Sequence, residues 1–283
     1  MTKRPSGKLN QLERRLPPGL IVDASWLEEL GYSSSLRSQY VSAGWLEQSP
    51  RRVYRRSSGL PLTWEYAVIS LQSVLQLDLI IGGRTALELG GYAHYLPQTQ
   101  KEVHLYGPKP PPTWLHELKL DVRFRYHNSA RLFQNFPSSS ELVRLKRTFM
   151  TKNGASAETP SGIALLNLGG PHEWPFAAST AERAILELLD ELPKRESFHQ
   201  VDMLMEGLTT LSPSRLQKLL VACRSVKVKR LFFFYADRHR HAWLKRLDKS
   251  AVDLGSGKRK LVDGGKLDPT YQITVPEDLD GVR

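Results

Sequence analysis

The stretch DASWLEELGYSSSLRSQYVSAGWLEQSPRRVYRR, residues 23 to 56, carries the most information about the fold. It predicts a short helix over residues 25–30, because Gly31 can adopt the positive φ that ends a helix. A second helix is predicted to begin at the serines of residues 33–35, whose hydroxyls are good caps, and to end at Gly44. Two short helices joined by a tight turn form a helix-turn-helix.

The second helix is predicted to have a buried face and an exposed face. Leu36, Tyr40 and Ala43 have the i, i+4, i+7 spacing of one apolar stripe. Arginine and small hydroxyl residues occupy the other face, and their chemistry suits the base edges and phosphates of a DNA major groove. The candidate DNA-contacting residues of this helix are Ser34, Ser35, Arg37, Ser38 and Ser42.

Residues 45–56, WLEQSPRRVYRR, are predicted to form a strand, a turn containing Pro50, and a second strand. An arginine-rich hairpin at this place is typical of the wing of a winged helix-turn-helix, where it would lie beside DNA phosphates. The wing candidates are Arg51, Arg52, Arg55 and Arg56. An upstream helix over residues 9–16, ended by two prolines, completes the unit. The alternative is an ordinary helical hairpin with a solvated basic turn.

The composition of the 283 residues is that of a globular protein, with 40% apolar residues and room for two or three compact units. No apolar run approaches the roughly 18 residues of a membrane helix, and the first residues lack the apolar stretch of a signal peptide. The single cysteine, Cys223, allows no internal disulfide. We therefore expect a cytoplasmic protein without a membrane span.

The net charge of +11 is concentrated near the C-terminus. Residues 213–266 contain fifteen Lys or Arg, four Asp and no Glu, and this excess equals the whole net charge. Such a surface attracts DNA, RNA or an acidic protein, and a solvated basic face is the alternative. The candidates for this second basic surface are Lys227, Lys229, Arg230, Arg238, Arg240, Lys245, Arg246, Lys258 and Arg259.

Breaks in periodicity suggest the domain organisation. The Ser, Gly and Pro residues of 55–61 form a candidate linker, so we predict a winged unit over residues 1–58 and a larger mixed α/β domain over 59–283. Residues 151–162, rich in small and polar side chains, are a candidate loop between two lobes of that domain. The fold class predicted is α+β.

The larger domain contains a sequence pattern seen in nucleotidyltransferases. A strand end at residues 79–81 is followed by Gly82 and Gly83 and a helix over 85–89, and such a turn can approach a phosphate. Those enzymes also need paired acidic residues for Mg²⁺, whereas the next strand offers only Glu102 and a histidine. We interpret the turn as a packing turn, or at most as part of a nucleotidyltransferase-like shell. No catalytic residue, metal site or cofactor is predicted.

Four further elements are predicted in the C-terminal half. Ser179 and Glu182 suggest a capping box before a helix that runs to about Leu192. Residues 226–235, VKVKRLFFFY, suggest a buried strand because of their β-branched and aromatic content, with a basic helix after it. Residues 270–275, TYQITV, alternate as a final strand does.

The chain resembles the AbiEi antitoxins of type IV toxin–antitoxin, or abortive-infection, systems. The likeness is carried by PPGLIVDASWLEELGYSSSLRSQYVSAGWLE, GGRTALELGGYAHYL and RLFFFYADRHRHAWLKRLD, followed by LGSGKRKLV. The resemblance implies a winged helix that binds inverted repeats of double-stranded DNA in its own promoter and represses that operon. It also implies a C-terminal antitoxin domain that counteracts a nucleotidyltransferase-like toxin.

Two alternatives remain open at this point. The first is a solitary transcriptional regulator whose C-terminal domain senses a ligand or a partner protein. The second is an enzyme of the nucleotidyltransferase class, against which the missing acidic pair argues.

Overall fold

A computed structural model describes residues 5–92, 101–134, 159–167 and 174–280. The N-terminal part has the element order of a winged helix-turn-helix: α1 Pro5–Arg15, β1 Ile21–Asp23, α2 Ala24–Glu29, α3 Ser34–Ser42, β2 Leu46–Gln48 and β3 Val53–Arg56. The three strands form an antiparallel sheet in the order β1-β3-β2. The predicted winged unit is therefore confirmed.

The caps of the two central helices follow from the local sequence. The Asp23 carboxylate accepts a hydrogen bond from the Trp26 backbone N–H at 2.9 Å, and the Ser33 hydroxyl accepts one from the Leu36 N–H at 3.3 Å. Gly31 and Gly44 follow the two helices with φ of 80° and 75°. These backbone values favour glycine, so the positions of both turns were readable from the sequence.

The strand β1 was not predicted. Its three residues are too few to show an alternating pattern, and its pairing with β3 joins Ile21 to Arg55 across 34 residues of sequence. The pairing matters for the site because it anchors the second strand of the wing to the body of the unit.

The described residues that follow the wing have mixed α/β structure, as predicted. Their helices are α4 Trp64–Ile69, which continues as a π turn over Ser70–Val74, α5 Gly83–Leu89, α6 Ala181–Asp190, α7 Phe198–Gly207, α8 Pro213–Ala222 and α9 Val226–His239. Their strands are β4 Ile80–Ile81, β5 Glu102–Gly107, β6 Arg123–Asn128, β7 Ile163–Leu166, β8 Phe176–Ser179, β9 Lys266–Asp268 and β10 Ile273–Val275. Single turns of 3₁₀ helix lie at Thr113–Glu117, Ser129–Arg131, Ala242–Arg246, Lys249–Ala251 and Glu277–Asp280.

The described strands of this domain form two sheets. Five of them form a sheet in the order β6-β5-β4-β8-β7, and β9 pairs with β10. Within the larger sheet, β5–β6 and β4–β8 are parallel and the other two pairs are antiparallel.

The glycine turn between β4 and α5 is filled by a side chain of the protein itself. The Glu187 carboxylate accepts hydrogen bonds from the Gly83 backbone N–H at 2.9 Å, the Ser179 hydroxyl at 2.8 Å and the Arg183 Nε at 2.8 Å. Arg183 and Glu187 are fully buried. A carboxylate thus occupies the position where a phosphate would approach, as expected of a packing turn.

Three local predictions were wrong. Residues 226–239 form the helix α9 rather than a strand. Apolar side chains are buried on several sides of this helix, so its sequence does not show the period of a helix with one buried face. The basic helix expected after residue 237 is instead the last turn of α9 followed by a separate 3₁₀ turn at Ala242–Arg246. The N-cap position of helix α6 is Thr180, whose side chain accepts no capping hydrogen bond, and Ser179 belongs to β8. Glu182 accepts hydrogen bonds from the Ser212 N–H and from Arg215 instead of closing a capping box. Most of the candidate loop between two lobes, residues 151–158, lies outside the described residues.

The winged unit shares a hydrophobic core with the rest of the chain. One cluster of buried side chains extends from Leu12 in α1 to Leu279 near the C-terminus. The Ser70 hydroxyl accepts a hydrogen bond from the Ile21 N–H at 2.8 Å, so the π turn after α4 contacts β1 directly. The division at residues 58 and 59 stays a prediction.

Candidate nucleic-acid interface

The exposed face of α3 carries only uncharged polar side chains. Its exposed polar residues are Ser34, Ser35, Ser38, Gln39 and Ser42. Four of the predicted residues thus lie where they were expected, and Gln39 was missed because a single amide gives no periodic signal. The opposite face holds buried Tyr40 and half-buried Leu36, whereas Ala43 is exposed and does not extend the predicted stripe.

Arg37 does not lie on this face, so its predicted orientation was wrong. Its side chain is 5% exposed, and it donates hydrogen bonds to the Tyr32 carbonyl at 2.7 Å and to Glu28 Oε1 at 2.8 Å. Its guanidinium lies 5.8 Å from the centroid of the Tyr54 ring. Arg37 therefore links α3 to the end of α2 and to the wing strand.

Two of the four wing arginines are exposed at the tip of the hairpin. Arg51 and Arg52 form the turn between β2 and β3, and Arg52 has a φ of 65°. The carbonyl of Arg52 accepts a hydrogen bond from the Ala24 N–H at 2.8 Å. This contact holds the tip against the start of α2, so its two side chains extend from a fixed backbone beside the helix-turn-helix.

The other two wing arginines have carboxylate partners within the unit. Arg55 bonds to Glu47 at 2.6 Å and to the Leu60 carbonyl at 3.0 Å, and Arg56 bonds to Glu13 at 3.2 Å. Both side chains are about one-fifth exposed. Their positive charge is partly neutralised, and their first role is to hold the hairpin to its neighbours.

The predicted second basic surface is smaller than the sequence suggested. Lys229 and Arg230 are buried, and Arg230 donates to the carbonyls of Leu254 and Gly257. Lys227 bonds to the Leu192 carbonyl at 2.9 Å, and Arg238 bonds to Asp202 at 3.0 Å. Lys227, Arg230 and Arg238 are thus engaged in contacts within the protein. The exposed members are Arg240, Lys245, Arg246, Lys258 and Arg259.

The exposed members fall into two groups. Arg240 is the C-cap of α9, with Lys245 and Arg246 shortly after it. The segment with Lys258 and Arg259 instead contacts Arg230, which donates a hydrogen bond to the Gly257 carbonyl. Arg230 lies ten residues before Arg240, and this separation corresponds to about 15 Å along the helix. The five exposed residues consequently lie in two groups at different positions along α9.

A buried polar cluster lies on two adjacent strands of the five-stranded sheet, β5 and β6. His104 and His127 stack with their centroids 5.1 Å apart, with Nδ1 of the first 3.0 Å from Nε2 of the second. Burial, helped by the charge of His127, lowers the pKa of His104 to about 4. His127 also lies 3.2 Å from Glu191, whose pKa falls to about 2 because the hydrogen bonds and charges of His127 and Arg195 outweigh its burial.

The described residues contain neither a metal cluster nor a membrane span. No three His, Cys, Asp or Glu side chains among them are placed to hold a metal ion. None of the described helices has the length and apolar composition needed to cross a bilayer.

Comparison with known proteins identifies the family. A family model for the N-terminal domain of the AbiEi antitoxin transcriptional regulators matches residues 5–98, and a second model, for the AbiEi antitoxin transcriptional regulators of type IV toxin–antitoxin systems, matches residues 170–276. The chain belongs to the AbiEi antitoxin family. The resemblance noted in the sequence is thus confirmed.

A solved structure supports the fold of the AbiEi chain. The crystal structure of the RV2827C protein from Mycobacterium tuberculosis matches with a TM-score of 0.54 and 15% sequence identity, over 95% of this chain and 89% of that one. At this identity the likeness shows a shared fold alone. No curated protein matches the sequence.

Proposed function

We propose that this protein represses its own operon through the winged helix and counteracts a nucleotidyltransferase-like toxin encoded beside it. The observation that carries the DNA-binding half is the geometry of the winged unit: an exposed, uncharged face of α3 stands beside two exposed arginines on a fixed wing. Membership of the AbiEi family supports the antitoxin half. The proposal assigns no catalytic role to any residue.

In this proposal the two surfaces have different tasks. Ser34, Ser38 and Ser42, with Ser35 at the start of the helix, face the base edges in the major groove. Arg51 and Arg52 contact phosphate at the wing, with Arg55 and Arg56 in support. Because inverted repeats present two equivalent half-sites, two copies of the winged unit would occupy one operator.

The wing is tested by the salt dependence of DNA binding. The double variant Arg51→Ala/Arg52→Ala removes two phosphate contacts, so the slope of log K against log salt should become shallower by about 2, with equal weakening on every sequence. Lys194→Ala/Lys218→Ala removes the same charge from two exposed positions of the C-terminal domain. Binding to duplexes of the upstream region is measured by fluorescence anisotropy from 50 to 300 mM KCl. Equal slopes for the two double variants would overturn the assignment of the wing.

The antitoxin half is tested by co-expression. If a nucleotidyltransferase-like gene lies next to this one, its expression alone should arrest growth, and co-expression of this chain should restore it. The Arg51→Ala/Arg52→Ala variant, supplied from an unrelated promoter, should still restore growth, because the proposal separates repression from antagonism. Absence of rescue by the wild-type chain would instead favour a solitary regulator.

A further inference from the structure

We propose that Gln39 reads an adenine in each half-site of the operator, and that α3 therefore selects an A·T pair at the position it faces. The inference rests on the proposed DNA-binding function and specifies one base within it. Two observations support it. The exposed amide of Gln39 lies beside exposed serine hydroxyls on one face of α3, and Arg37, the only arginine of this helix, does not lie on that face.

The chemistry of the exposed face singles out Gln39. A serine hydroxyl both donates and accepts and rotates freely, so it fits several bases. A glutamine amide presents one acceptor and a donor side by side, and this pair matches the N6 amino group and N7 of adenine in the major groove. Among the described contacts the Gln39 side chain makes no hydrogen bond within the protein, so its amide is available to a base.

The position of Arg37 strengthens the inference by excluding the most common alternative. Guanine offers two acceptors, O6 and N7, which an arginine or lysine satisfies in a two-pronged contact. The guanidinium of Arg37 is instead committed to the Tyr32 carbonyl and Glu28. No other Lys or Arg lies in α3. The helix thus has an amide suited to adenine and has no free Lys or Arg for the two-pronged contact with guanine.

The serines flanking Gln39 fit this arrangement. Ser35 lies 3.0 Å from the capping hydroxyl of Ser33, so it belongs partly to the helix cap. Ser38 and Ser42 remain exposed beside Gln39, on the same face one turn apart. Their small size lets the helix backbone approach the groove floor, which a longer side chain would hinder.

The test begins with a selection. Wild-type protein is incubated with a library of random 24-base-pair duplexes, and the bound sequences give a preference at each position. Wild type should prefer A·T over G·C about 5- to 150-fold at one position of each half-site. Gln39→Ala should lose that preference alone, and Gln39→Glu should shift it toward C, whose N4 amino group donates to a carboxylate. Gln11→Ala, which removes an exposed glutamine from α1, is the matched control and should change nothing.

A chemical substitution identifies the contact itself. The selected adenine is replaced by 7-deazaadenine, which lacks N7, or by purine, which lacks the N6 amino group. Each replacement should weaken wild type by about 5-fold or more and have no further effect on Gln39→Ala. Because the Gln39 side chain is exposed, Gln39→Ala and Gln39→Glu should unfold at the urea midpoint of the wild-type protein.

The outcomes separate the two proposals. If wild type selects no sequence at all, the proposed DNA-reading function fails, and the base assignment fails with it. If wild type selects a sequence but Gln39→Ala keeps every preference, only the assignment to Gln39 is overturned. The assignment to Gln39 is likewise overturned if neither adenine analogue weakens the binding of wild type or of Gln39→Ala.

Discussion

The burial of Arg37 predicts that this residue stabilises the winged unit without reading DNA. The substitution to consider is Arg37→Met, which keeps most of the aliphatic stem and removes the guanidinium. Besides the packing of the guanidinium near the Tyr54 ring, two hydrogen-bonded contacts are then lost: a 2.7 Å hydrogen bond to the carbonyl of fully buried Tyr32 and a 2.8 Å contact with Glu28. Both lie within the unit.

The two losses differ in size. Leaving a buried carbonyl without its donor costs about 1–3 kcal/mol. The ion pair with Glu28 contributes less than about 1 kcal/mol, because that carboxylate is 51% exposed and well screened. Arg37→Met should therefore lower the free energy of unfolding by about 1–4 kcal/mol, and Glu28→Gln by less than about 1 kcal/mol.

The assay pairs stability with DNA binding. Urea unfolding is followed by far-UV circular dichroism, and DNA affinity is measured at a temperature where every variant is folded. Arg51→Met makes the same chemical change at the wing tip, where the side chain is exposed. We expect Arg37→Met to lose stability and keep wild-type affinity, and Arg51→Met to keep stability within about 0.5 kcal/mol and lose affinity. A stable Arg37→Met protein that binds DNA tenfold more weakly would refute the reasoning.

Two further predictions concern the buried groups of the larger domain. Glu187→Ala leaves the charge of Arg183 buried without its carboxylate, so the free energy of unfolding should fall by about 3–5 kcal/mol; a loss below about 1 kcal/mol in urea titration would contradict the role given to this pair. His104 has a pKa of about 4 when folded and an ordinary value near 6.5 when unfolded, so the unfolded state binds a proton first as the pH falls. Stability should therefore be fully present above pH 6.5 and decline by about 3 kcal/mol toward pH 4, whereas the profile of His104→Gln should lack this component; identical pH profiles for the two proteins would exclude His104 as the source.

Much of the winged unit was predictable because its signals are local. The cap at Ser33, the glycines after α2 and α3, and the proline turn of the wing each act over a few residues. The strand β1 was not predictable in this way, since three residues acquire their role only by pairing with β3. The helix α9 was mistaken for a strand because a helix buried on several sides loses the periodicity that distinguishes it.

The candidate interface likewise combines features that the sequence predicts with features that depend on tertiary contacts. Sequence alone could place an arginine on α3, but whether its side chain faces solvent depends on the Tyr32 carbonyl and the Glu28 carboxylate that the fold brings to it. The same is true of Lys229 and Arg230, which charge counting assigned to a basic surface and which are buried. Charge counts identify ionisable residues, whereas partners and burial decide which of them remain available to DNA.

By itself the sequence determined the winged helix, the mixed α/β character of the larger domain and the resemblance to the AbiEi antitoxins, because caps, turns and hydrophobic spacing are properties of neighbouring residues. Only the tertiary structure decided which polar side chains face outward. It withdrew Arg37 from the exposed face of α3, left Gln39 and the serines on that face, and kept Arg51 and Arg52 exposed at the wing tip. The physical reason is that a charged side chain becomes part of the fold whenever distant backbone carbonyls and carboxylates satisfy it better than water does.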